Sequence, residues 1–122
     1  MTGPTDDLLR LIGSSFRSVW ALELLLFLKR EARPIPPAEL ISALRASDLV
    51  VNKALDALVA GGLVSLDDKG AIYMPVNDQV AKRMDEVEKL YAARPDAVRR
   101  VIVSAASSGA TAFADAFRLR KE

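Results

Sequence analysis

The stretch Val19-Trp20-Ala21-Leu22-Glu23-Leu24-Leu25-Leu26-Phe27-Leu28 contains one charged residue, Glu23, and is otherwise apolar on every side of a helix. Such a helix must be covered on most of its surface. In a chain of 122 residues the cover comes from the rest of one small domain or from a second subunit. The run is ten residues long, about half of the roughly 20 that a bilayer span needs, so it reads as core and no membrane is expected as a partner. Lys29 and Arg30 follow where the helix dipole favours cations, and Arg33-Pro34-Ile35-Pro36-Pro37 stops the helix. The helix is expected over Ser14–Glu31, capped by Ser14 or Ser15, with residues 1–13 as a flexible N-terminus.

Two short helices are expected next. Pro37 suits the first turn of a helix through Leu44, and Ser47-Asp48 reads as a cap with a carboxylate in the first turn of the following one. From Leu49 to Ala60, Val51, Leu55, Leu58 and Val59 recur at helical spacing, and Gly61-Gly62 ends the helix with one glycine free to turn left-handed. This pair forms a helix-turn-helix pattern. The period then switches to short strand-like runs, Leu63–Asp67 and Ala71–Met74, around the turn Asp68-Lys69-Gly70.

Pro75-Val76-Asn77-Asp78 closes the hairpin and caps a long helix whose Val80, Met84, Val87 and Tyr91 form a narrow apolar seam. Arg94-Pro95 interrupts it. A further helix carries Val98, Val101, Ile102 and Ala105 on one face, and after Ser107-Ser108-Gly109 an amphipathic piece, Thr111 to Arg120, ends the chain. The expected fold is mainly α with a small β-hairpin: residues 14–75 form one domain, and residues 76–122 a helical extension that braces or dimerises it. A homodimer is expected to pair through the all-apolar helix, at Leu22 and Leu26, and through the seam Val80, Met84, Val87 and Tyr91.

The chain has no Cys and no His, which excludes thiol nucleophiles, disulfides, Cys/His zinc sites and Ser–His triads. Its paired acids fall in turns, termini or exposed helix, so neither an enzyme nor a bound cofactor is expected. A net charge of +1 advertises no polyanionic partner by itself. With no basic leader before an apolar run and no cysteine, the expected compartment is the cytoplasm.

The order of helix, helix-turn-helix, glycine-ended second helix and short hairpin resembles the winged-helix fold of bacterial transcription regulators, in layout the MarR-like and PadR-like repressors. The likeness covers about 60 residues, Ser14 to Met74. Pro37-Ala38-Glu39-Leu40 carries it, with Ser47 to Leu58 and the exit Ala60-Gly61-Gly62-Leu63-Val64. It implies a dimeric regulator of double-stranded DNA whose helix 47–60 enters the major groove while the hairpin, or wing, touches the backbone. Carried over by position, the exposed candidates on the helix are Ser47, Asp48, Leu49, Val50, Asn52, Lys53 and Asp56, and the DNA-binding set is Ser47, Leu49, Val50, Asn52, Lys53 and, on the wing, Lys69. Asn52 suits adenine, Lys53 guanine or phosphate, and Ser47 a phosphate at the helix start.

Two departures support an alternative, an interaction module of the same fold that holds a protein and not DNA. Residues 34–76 carry a net charge of −2, whereas DNA affinity draws on phosphate neutralisation. Asp67-Asp68 occupies the wing tip, and Leu49 and Val50 stand where polar side chains are expected. Trp20 and Tyr91 are further candidates, for the lining of an effector pocket.

Overall fold

The computed structural model describes residues 4–105. It is mainly helical, with one small two-stranded antiparallel hairpin. The helices are α1 (Pro4–Ser15), α2 (Val19–Glu31), α3 (Pro37–Leu44), α4 (Asp48–Ala60), α5 (Asp78–Ala93) and α6 (residues 95–105); the strands are β1 (Val64–Asp67) and β2 (Gly70–Tyr73). The terminal piece from Thr111 lies outside the described residues.

The flexible lead-in expected over residues 1–13 is corrected for residues 4–13, the part that the structure describes. From Pro4 onward the chain is helical, with Asp6 and Asp7 in the first turn, where the dipole favours acids, and Leu8 and Ile12 buried one turn apart. Gly13 sits inside α1, where it lets α6 approach closely. A Cβ at Gly13 would stand 3.0 Å from Val101 of α6. Ser14 and Ser15 therefore end α1 instead of capping α2. The cap is Ser18, whose hydroxyl accepts from the Ala21 amide at 3.2 Å. The two helices meet at a bend of 103°, with Phe16 buried in the corner.

α2 is covered by its own chain, chiefly by α4 and β2. Ala21, Leu22, Leu24, Leu25, Leu26 and Leu28 are all buried. Each such leucine contributes on the order of 2 kcal/mol of transfer free energy. This corrects the expected dimer contact, since Leu22 and Leu26 have no surface left for a second copy. The same holds for Met84, Val87 and Tyr91, which are buried within the chain, while Val80 is half-buried against the core. The seam braces the domain. Among the described residues no single helix is long and apolar enough to cross a membrane.

After α2 the chain stays extended long enough for Ile35 to bridge β2. The Ile35 amide donates to Ala71 O and the Ala71 amide to Ile35 O, both at 2.8 Å, and Ile35 is fully buried. β1 and β2 pair from Val64↔Tyr73 to Asp67↔Gly70, leaving Asp68 and Lys69 as the tip. The Lys69 amide donates to Asp67 Oδ1 at 2.8 Å, which shapes that tip. Gly62 takes the left-handed conformation at φ 75° that the end of α4 requires. Asn77 caps α5 as its sequence implies, accepting from the Val80 amide at 2.9 Å.

α5 packs on α1 and is tied to α2 by charge. Lys29 donates to Asp85 at 2.8 Å and to Glu88 at 2.6 Å, and Arg30 reaches Glu88 at 3.4 Å. These contacts, with hydrogen bonding to Asp85 first and to Glu88 second, hold the Lys29 pKa above its usual value. The bond to Lys29 likewise lowers both carboxylates.

Candidate nucleic-acid interface

α3 and α4 are set at their angle by a three-residue turn. Arg45 caps α3 in the left-handed conformation, at φ 54°, with its amide on Ile41 O. Ala46 follows, and Ser47 then caps α4 by accepting from the Val50 amide at 3.2 Å. α4 buries Val51, Ala54, Leu55 and Leu58. The periodicity leaves Asp48, Leu49, Asn52, Lys53, Asp56, Val59 and Ala60 on the solvent side, all exposed.

Of the residues picked from sequence, Ser47, Leu49, Asn52 and Lys53 are thus brought together on one exposed face. Leu49 is 64% accessible and Val59, which the sequence reading assigned to the inner face, 42%. Val50 is only half-buried and turns sideways, into a hollow of about 310 Å³ that it shares with Trp20 and Ala54. Lys69 stands apart from this face, at the hairpin tip beside Asp67 and Asp68.

The fold also adds cations that the sequence could not place. Arg17, at the corner between α1 and α2, lines the hollow at Trp20 together with Lys53. The same two residues line a larger groove of about 1040 Å³ between α1, α4 and α5, where Arg83 joins them and Asp56 is the one carboxylate. Among the described residues neither Arg17 nor Lys53 has an ion-pair partner, and Arg45 has none either. At the other end of α2 the cations are engaged: Lys29 and Arg30 with α5, and Arg33 with Glu31 at 3.0 Å and Glu39 at 2.6 Å. Arg33 is exposed, and its hydrogen bonds to Glu39 and Glu31 raise its pKa.

Trp20 is 42% accessible and separates the hollow at Val50 from another, of about 380 Å³, lined by Glu23, Leu44 and Arg99. Neither hollow is lined by Tyr91, which is buried in the core. Among the described residues no group of three or more acidic side chains gathers where a metal could bind. Compared with protein-family models, curated proteins and solved structures, the chain matches none of them.

Proposed function

We propose that the protein is a sequence-specific, DNA-binding transcriptional regulator of the winged-helix class, working in the cytoplasm and reading the major groove with α4. The observation that carries this is the exposed face of α4, where Asn52 and Lys53 lie together beyond a Ser47 cap while unpaired Arg17 and Arg45 flank the helix. A helix fits the major groove of B-DNA, an amide side chain pairs with adenine, and an ammonium pairs with guanine or phosphate. The Ile35–Ala71 bridge supports the fold part of the reading, since it adds a third, one-residue strand to the hairpin between the first and second helices of the module. No catalysis is assigned to the protein. A dimer that reads a two-fold site uses surfaces other than the buried Leu22, Leu26, Met84, Val87 and Tyr91.

Selection of bound duplexes from a random library, at about 50 and 200 mM salt, tests the reading through the salt dependence of phosphate binding. Enrichment of one motif that weakens with salt supports it, and Asn52→Ala/Lys53→Ala is then expected to abolish the preference. A double variant that binds the motif as tightly as wild type removes α4 as the reading helix. The alternative, a winged-helix module for a protein partner, is favoured by the exposure of Leu49 and by the acidic hairpin tip. It gains if a folded protein enriches nothing at the lower salt.

A further inference from the structure

We propose that the duplex is anchored in the groove between α1, α4 and α5, with a phosphodiester strand running over Arg17, Lys53 and Arg83, and not by the hairpin tip. This rests on the reading of α4 as the helix that meets DNA, and it names the groups that supply most of the affinity.

The three cations come from the α1–α2 corner, α4 and α5 and line one groove, where Asp56 alone opposes them, for a net lining charge of +2. That reverses the −2 of residues 34–76, because Arg17 and Arg83 both lie outside that span. Arg17 and Lys53 are free of ion pairs among the described residues. Arg83 has only an exposed contact with Glu86, at 3.6 Å and one turn away, which solvent screens. Two guanidinium forks suit phosphate oxygens, and Lys53 and Asp56 of the exposed face of α4 are part of the groove's lining.

The hairpin lacks these properties. Its tip is two residues long, and its one cation, Lys69, is outnumbered by Asp67 and Asp68. Asp67 is also committed to the Lys69 amide, at 2.8 Å, which keeps its carboxylate at the tip. A phosphate approaching there meets net negative charge. The backbone contact that the wing is expected to make is therefore moved to the corner between α1 and α2 and to α5.

The test is the slope of log Kd against log salt for the full chain on a labelled duplex, by fluorescence anisotropy between about 50 and 200 mM salt. Each lost phosphate contact lowers that slope by about one, so Arg17→Gln/Arg83→Gln is expected to lower it by about two. That variant is expected to weaken binding to every duplex alike, with the same base preference, and Arg17→Lys/Arg83→Lys to recover the slope. Lys69→Gln is expected to change neither affinity nor slope. An unchanged slope in Arg17→Gln/Arg83→Gln, with a wild-type circular dichroism melt, overturns the anchor and leaves the α4 reading standing. A slope that falls in Lys69→Gln returns the anchor to the hairpin. If the wild type binds no duplex at the lower salt, the α4 reading fails, and the anchor with it.

Discussion

Tyr91 of α5 donates its phenol hydroxyl to the Glu23 carboxylate of α2, so the one charged residue within the apolar run Val19–Leu28 ties two elements together. Arg99 of α6 completes the junction, its guanidinium 5.5 Å from the centre of the Tyr91 ring. Burial, and next the bond to Glu23, raise the Tyr91 pKa. A phenol whose folded pKa is raised gives stability that is fully present below the unfolded value of about 10 and is lost as pH rises through the folded one. Tyr91→Phe is expected to cost about 1 to 2 kcal/mol at neutral pH and to flatten the loss of stability above about pH 10. Urea unfolding at the two pH values measures both effects. A variant as stable as wild type shows that Glu23 gains nothing from the hydroxyl.

The bridge from Lys29 to Asp85 and Glu88 gives the fold a pH window. The two carboxylates have lowered pKa values, so their contribution is present above the usual carboxylate range near 4 and is lost as pH falls through the folded values. Lys29 has a raised pKa, so its share is present below about 10.4 and is lost as pH climbs through its folded value. Lys29→Met is expected to keep the packing of the long stem, to lower the melting temperature at pH 7, and to make the decline between about pH 5 and 3 shallower. Melting curves across that range decide it, and parallel acid limbs in the two proteins exclude the bridge as their cause.

Tyr73 presents the opposite case. Its hydroxyl is buried with no hydrogen-bond partner among the described residues, and burial is the main reason its pKa is raised. An unpaired buried hydroxyl costs about 1 to 3 kcal/mol of desolvation. Tyr73→Phe is therefore expected to leave stability unchanged or to raise it by about 1 kcal/mol, measured by urea unfolding at pH 7. A clear loss identifies a bonded hydroxyl.

Local chemistry made much of this legible. Ser47, Asn77 and the glycine pair Gly61-Gly62 punctuate the chain as their residue types dictate. The apolar belt of α2 correctly demanded full cover. What failed was anything set by long-range packing. The helix over residues 4–15 buries Leu8 and Ile12 in a core that distant elements complete, and its Gly13 lies against Val101, 88 positions away in the chain. The seam at Val80, Met84, Val87 and Tyr91 was real, yet its partner was this chain's own core, and a 4-3-4 spacing cannot distinguish the two. At the candidate site the exposed face of α4 followed from periodicity, whereas Arg17 and Arg83 reach the groove only through the 103° corner and the return of α5. A charge count over contiguous residues therefore leaves out two of the three cations that line the groove.

Gly70 is where the hairpin, the bridge strand and the module all meet, and its substitution is the most severe of these tests. Its φ of 127° belongs to a region that side chains other than glycine's rarely adopt. A Cβ there would collide with the Ile35 carbonyl carbon and stand 2.5 Å from Ile35 O and 2.6 Å from Pro36 N. These are backbone atoms of Ile35, which bridges Ala71 from outside the hairpin, and of the next residue, Pro36, so the collision opens both 2.8 Å bonds of the bridge. Backbone strain of about 1 to 3 kcal/mol adds to two hydrogen bonds of about 1 kcal/mol each. Gly70→Ala is expected to lose about 3 kcal/mol or more and to melt at least about 10 °C lower, while Asp68→Ala at the neighbouring tip melts with the wild type. Calorimetry of the two variants separates a demand at Gly70 from a general sensitivity of the hairpin. A Gly70→Ala protein with the wild-type melting temperature means that Ile35 does not bridge β2 in solution.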